Sequence, residues 1–130
     1  MYRKSNAIIP YNDIDKEIVP LIEALNSIEG IQTISCCCGH GEKPCYIWFM
    51  ARNIEIINKI MFHCFNHEWF WKIELDSGDP NRHWTDLHLV LYSNGICSQK
   101  DFDELTYKIN NKIEDIKLTK NEWLLFKNRK

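Results

Sequence analysis

The sequence predicts an α+β sandwich: a four-stranded, mainly antiparallel sheet from two αββ units with a closing helix, the helices packed on one face. Two observations carry that prediction. Hydrophobic periodicity runs helix, hairpin, helix, hairpin, helix along the 130 residues. No strand leads into a glycine-rich phosphate loop that opens a helix, so neither a dinucleotide-binding fold nor a P-loop is indicated. A chain of this length fits one domain over residues 1–130 and can bury a real core.

Residues 1–12 read as a lead-in. Asn12 or Asp13 is the expected cap of a first helix carrying Ile18, Leu21, Ile22, Leu25 and Ile28 at helical spacing. Pro20 either starts the regular helix or kinks it, and Gly30 is the expected stop. Ile31, Thr33 and Ile34, all β-branched, then favour a strand. After a loop through Gly39, Gly41 and Pro44, the run Cys45 to Ala51 is apolar on both faces, which predicts a central strand covered on each side. Asn53 caps a second helix with Ile54, Ile57, Met61, Cys64 and Phe65 facing inward. In the third strand Trp69, Trp71, Ile73 and Leu75 share one face, and Lys72, Glu74 and Asp76 the other. Ser77-Gly78-Asp79-Pro80-Asn81 reads as a turn into a fourth strand over roughly Trp84 to Tyr92. Ser98, with Asp101 three residues on, starts a third helix carrying Phe102, Leu105, Ile109, Ile113 and Ile116. Trp123 and Phe126 predict a C-terminal segment that packs back on the body.

Composition narrows the function classes. At 45% hydrophobic and 26% charged the chain has the balance of a soluble globular protein. A net charge of −2 gives no overall field towards nucleic acid or an anionic membrane, so neither is an expected partner. The basic C-terminus (Lys117, Lys120, Lys127, Arg129, Lys130) reads as a solvated end. No apolar run approaches the ~20 residues that span a bilayer, and Ala7-Ile8-Ile9 is too short for a signal-peptide core. These features predict the cytoplasm, where the six cysteines stay free thiols or metal ligands.

The sharpest local feature is Ser35-Cys36-Cys37-Cys38-Gly39-His40-Gly41. Glycines around His40 open backbone conformations closed to other residues and permit close approach of a ligand. Successive N–H groups in such a turn can form an anion-holding nest, with His40 and Lys43 as further donors. Strand alternation sends Ser35, Cys37 and Gly39 one way and Cys36 and Cys38 the other, towards packing. A tight turn over small buried thiols is the plainer explanation. Cys36, Cys38, His40 and Cys45 are close in sequence, and His63, Cys64, His67 and Cys97 add donors, but no Cys-x-x-Cys pair is present to grip zinc. No metal or cofactor is therefore expected. Cys37 with His40 is a candidate thiolate–imidazole pair. A second hairpin centred near Asn81 places Glu74 opposite His88 and Asp76 opposite Asp86, an acid/base constellation or simply a wet sheet face. Arg82, His83 and Trp84 stand at that turn, where they suit stacking on a base-like ring.

Leu25-Asn26-Ser27-Ile28-Glu29-Gly30-Ile31-Gln32-Thr33, followed by the Ser35–Gly41 stretch and Pro44-Cys45-Tyr46-Ile47-Trp48-Phe49, resembles small uncharacterised bacterial and phage proteins with a Ser-Cys-Cys-Gly-His-Gly turn. The layout is also distantly similar to the methyltransferase family of tRNA wybutosine synthesis, in which a strand ends in Ser-Ser-Cys-Ser-Gly-Arg. Ser35, Cys37 and Gly39 match that motif, Cys36 and Cys38 replace serines, and His40 replaces the arginine. With those departures, what the resemblance implies for this chain is a pocket lined by the turn.

The expected function is a non-catalytic binding protein, a phage-type sponge or sensor, that captures a small nucleotide-like or phosphate-bearing ligand at the Gly-His-Gly turn. Homo-oligomerisation is left open. The candidate ligand-binding residues are Ser35, Cys37, Gly39, His40, Gly41, Lys43, Glu74, Arg82, His83, Trp84 and His88. The alternative is an enzyme modifying a nucleotide or tRNA base with Cys37, His40 and the Glu74/His88 pair. A zinc-stabilised interaction module is a third reading.

Overall fold

The computed structural model describes residues 15–65, 70–76 and 87–127, with side chains described up to residue 124. A single 3-10 turn at Lys16–Ile18 leads directly into helix α1 (Val19–Asn26). Pro20 sits in the first turn of α1, where its missing N–H has no partner to lose, so it starts the helix and does not kink it. The helix ends at Asn26, before Gly30. Gly30 instead takes φ +95 at the corner into strand β1 (Ile31–Cys37), and its carbonyl accepts the Arg52 N–H at 2.8 Å. The proposed caps Asn12 and Asp13 lie outside the described residues.

Strand β2 (Pro44–Ala51), helix α2 (Ile54–Cys64), strands β3 (Trp71–Leu75) and β4 (Leu87–Ile96), and helices α3 (Gln99–Asn111), α4 (Ile113–Ile116) and α5 (Lys120–Lys127) follow. The sheet is four-stranded and antiparallel in the order β1-β2-β4-β3. The fold is the α+β arrangement that the element order predicts.

The two sheet faces have different chemistry. Cys45, Ile47, Phe49 and Ala51 of β2 join Leu89 and Leu91 of β4, Ile31 of β1 and Trp71 of β3 in a core with the helices. Burying such side chains stabilises the fold by about 1.5–3 kcal/mol each. The alternate residues, Tyr46, Trp48 and Met50 of β2 among them, are exposed or only half-buried. Among the described residues the Cys45–Ala51 run is therefore covered on one side only, a correction to the two-sided burial its composition suggests. Tyrosine and tryptophan are apolar enough to mimic a core residue in the sequence yet carry polar tips that suit a wet face.

The second and third helices keep their predicted caps but not every predicted face, whereas α1 starts at Val19 with Ile18 as its N-cap and no side-chain cap, so neither Asn12 nor Asp13 caps it. Asn53 accepts the Ile56 N–H at 3.1 Å at the start of α2, and Ser98 and Asp101 form a reciprocal capping box at the start of α3. In α2 the buried residues are Ile56, Ile57, Ile60 and Cys64, whereas Ile54 and Met61 are exposed. Apolar residues surround this helix, so spacing alone does not fix which stripe faces the sheet. The long third helix divides at Lys112, leaving Phe102, Leu105 and Ile109 buried on α3 and Ile116 buried on α4. Thr119 and Glu122 cap α5 reciprocally, and Lys59 of α2 meets Glu122 at 2.8 Å, holding the Glu122 carboxyl below its usual range. Trp123 packs against the core beside Gly30, consistent with the predicted return of this segment; the Phe126 side chain lies outside the described residues. Among the described residues no helix is long and apolar enough to cross a membrane.

Candidate functional site

The turn between β1 and β2 is built from three successive residues with positive φ: Gly39 at +88, His40 at +53 and Gly41 at +74. Histidine pays a steric cost in that region that glycine does not. The Gly39 carbonyl accepts both the Glu42 N–H (2.9 Å) and the Lys43 N–H (3.0 Å), and the His40 N–H points to Cys38 Sγ at 3.4 Å. Three N–H groups of this turn are thus committed within the protein. Those three groups are therefore withdrawn from the anion nest that the sequence suggests, which weakens the backbone contribution and puts more weight on the His40 and Lys43 side chains for a negative group.

The turn folds His40 back over the end of β1. Its Nδ1 lies 3.7 Å from Cys38 Sγ and its Nε2 lies 3.7 Å from an Asp15 carboxylate oxygen. Cys38 is 4% exposed, whereas the His40 side chain is 65% exposed, so the cluster bridges core and solvent. Asp15 precedes the 3-10 turn, yet its side chain caps no N–H there. Nothing in the sequence marks Asp15 as a partner of a histidine 25 residues on; only the fold joins them.

Cys36, Cys38 and Cys64 are poorly disposed for nucleophilic chemistry. Burial, reinforced by the Asp15 carboxylate, pushes the Cys38 thiol up to about 11. Burial and the same carboxylate raise Cys36 to about 11, and burial raises Cys64 equally. Cys45 and Cys97 share a hydrogen bond that holds the Cys45 thiol protonated as donor, so Cys97 is the member that ionises first. The unfolded chain releases its thiol protons near pH 9, while Cys36, Cys38 and Cys64 keep theirs to about pH 11 when folded. Stability contributed in this way is intact below pH 9 and is lost as the pH rises through 11. The unfolding free energy from urea titrations is expected to fall between pH 8.5 and 10.5 by roughly 1 kcal/mol or more, and less steeply in Cys64→Ser. Parallel pH profiles for the two proteins would remove burial of Cys64 as a cause.

The open sheet face adjoins the turn. Its last row before the turn pairs Cys37 with Tyr46, Tyr46 with Tyr92, and Tyr92 with Lys72. The next row is Ser35, Trp48, Val90 and Glu74, and beyond it Gln32 pairs with Met50 and Met50 with His88. The Tyr46 ring lies 5.7 Å from Trp48 at 18° and 5.9 Å from Tyr92 at 17°, a run of three nearly parallel rings. Tyr92 donates its phenol proton to Glu74 at 2.7 Å, which raises its pKa and pins the ring.

Ser35 and Cys37 therefore stand on the open face, with Gly39, His40, Gly41 and Lys43 in the turn beyond, while Cys36 faces the core. Glu74 and His88 share that open face, but not as a facing pair. Glu74 opposes Val90, and the Asp76 N–H donates to the His88 carbonyl at 2.8 Å. The register is shifted by two residues from the one a turn centred near Asn81 implies, and the Glu74–His88 constellation is corrected accordingly. β1 and β3 are opposite sheet edges, three strand spacings or about 14 Å apart, so Glu74 cannot act on an atom held by Cys37. Arg82, His83 and Trp84, with Asp86 and His67, lie outside the described residues. Sequence reasoning misses Asp15, Tyr46, Trp48 and Tyr92. The three aromatics carry a signal, the i, i+2 alternation of Tyr46, Trp48 and Met50; Asp15 carries none. No protein-family model, curated protein or solved structure matches this chain.

Proposed function

We propose that this protein binds, without turning over, a small nucleotide-like ligand whose base ring stacks on the open sheet face beside the Gly39-His40-Gly41 turn. The observation that carries this reading is the run of parallel rings Tyr46, Trp48 and Tyr92 on the uncovered face. Tyr46 is 37% exposed, and a flat heterocycle on such rings gains about 1–3 kcal/mol per base. Ser35 and Cys37 border the rings on one side and Glu74 on the other, offering hydrogen-bond partners to a ring edge. A phosphate on such a ligand would rely on His40, Lys43 and Lys72 side chains. Binding is favoured over catalysis because the thiol next to His40 is held protonated and the carboxylate proposed to assist stands at the far sheet edge.

The test is calorimetric titration with purine and pyrimidine nucleotides, with chromatography of each ligand afterwards. Saturable binding with the ligand recovered intact is expected, and Trp48→Ala should weaken it roughly 5- to 100-fold, in line with the stacking energy. Binding unaffected by Trp48→Ala would remove the sheet face as the site. A ligand consumed during incubation would establish the enzyme reading instead.

A further inference from the structure

We propose that Asp15, Cys38 and His40 form a three-ligand site for zinc or a similar borderline-soft divalent cation, with the fourth coordination position open to solvent. Each residue offers one donor atom, and the three atoms lie within 4.8 Å of one another. Tetrahedral zinc, with bonds of about 2.0–2.3 Å, sets neighbouring ligand atoms about 3.3–3.8 Å apart. The 3.7 Å separation of Cys38 Sγ from His40 Nδ1 falls in that range, and the Asp15 carboxylate stands 3.7 Å from the other ring nitrogen, Nε2. One ring nitrogen takes the metal, and the partly exposed Asp15 carboxylate turns to follow it. Movement of an exposed side chain is enough to close the site.

Donor chemistry points to the same class of ion. A thiol, an imidazole and a carboxylate together suit zinc, cobalt or nickel and not the all-oxygen shells of magnesium or calcium. The thiol proton leaves to solvent as the sulfur–metal bond forms, so one proton is released per ion bound. The His40 backbone N–H, 3.4 Å from Cys38 Sγ, is already aimed at the sulfur that becomes a thiolate, a supporting bond of the kind that steadies metal ligands. His40 faces solvent on its other side, which leaves the fourth position to water or to a ligand atom. The missing Cys-x-x-Cys spacing does not bear on this arrangement, because the third ligand comes from residue 15 and not from a knuckle. The site stands on the turn and Asp15 and holds whether or not a nucleotide binds the sheet face.

The experiment is titration of the full-length, metal-free, reduced protein with Zn2+ and Co2+, by calorimetry in two buffers of different ionisation enthalpy and by absorbance. One ion per chain, release of one proton and a thiolate-to-cobalt charge-transfer band are expected. Cys38→Ser should abolish the band, and His40→Ala and Asp15→Asn should each weaken binding at least tenfold. His40 and Asp15 are exposed enough for these two variants to fold, which circular dichroism checks; Cys64→Ser, on α2, should bind like the wild type. Absence of Co2+ binding at micromolar concentration would overturn the assignment. So would binding of unchanged affinity in His40→Ala and Asp15→Asn, which would place the ion among the other thiols.

Discussion

Gly39→Ala is expected to lower stability by about 3 kcal/mol or more and to abolish metal binding at the turn. Two costs coincide there. An alanine at φ +88 enters the left-handed region at roughly 1–2 kcal/mol. Its Cβ would also run into the Lys43 carbonyl oxygen. That clash is with backbone, so no rotamer relieves it; the turn must open, and the Glu42 and Lys43 N–H bonds to the Gly39 carbonyl go with it. Gly41 supplies the control. It has φ +74, but a Cβ there would meet nothing within 4 Å, so Gly41→Ala should cost only about 1 kcal/mol. Urea denaturation at constant m-value reads both. Equal losses in the two variants would show that the turn is not clamped through Gly39.

Asn26→Ala is expected to cost about 2–4 kcal/mol, although it removes only a small polar group. Asn26 and Thr33 are completely buried. The Asn26 side chain accepts the Thr33 N–H at 2.9 Å and donates to the Thr33 hydroxyl at 2.9 Å, joining the end of α1 to edge strand β1. Alanine leaves a buried backbone N–H without its partner, and the cavity is too enclosed for easy rehydration. Thr33→Val removes one bond and spares the other, so its expected cost is smaller, about 1–2 kcal/mol. The double variant should fall short of the sum by about 1 kcal/mol, the signature of a shared interaction. Strictly additive losses would refute the pairing. The proposed binding face depends on this contact through the strand. Immediately after Thr33 the pairing of β1 with β2 slips by one residue, so Ser35 and Cys37 reach the open face while Cys36 stays on the core side.

The residues show where a sequence is legible. Asn53, Ser98 and Asp101 announce helix starts because a cap is satisfied within three residues, and the structure has those bonds. Pro20 and the β-branched run at Ile31–Ile34 likewise act locally. The faces of α2 and β2 are less legible, since Ile54, Met61, Tyr46 and Trp48 are as apolar in composition as the residues that are buried. Only the packing of the helices on one another and on one face of the sheet selects which stripe goes inside. The register of β3 on β4 differs by two residues from the sequence expectation because it depends on where the connecting turn lies as well as on alternation, and alternation is unchanged by a shift of two.

By itself, the sequence determined the α+β order of elements, the caps of α2 and α3, and a glycine-flanked histidine at the end of the first strand, because each of these rests on interactions spanning a few residues. Tertiary structure alone decided what surrounds that histidine. It brought Asp15 to His40 across 25 positions and Tyr92 to Tyr46 across 46, and it committed the His40, Glu42 and Lys43 N–H groups within the turn. Those contacts form only when α1, β1, β2 and β4 pack together, since loop closure over such separations is favourable only when a shared core is buried.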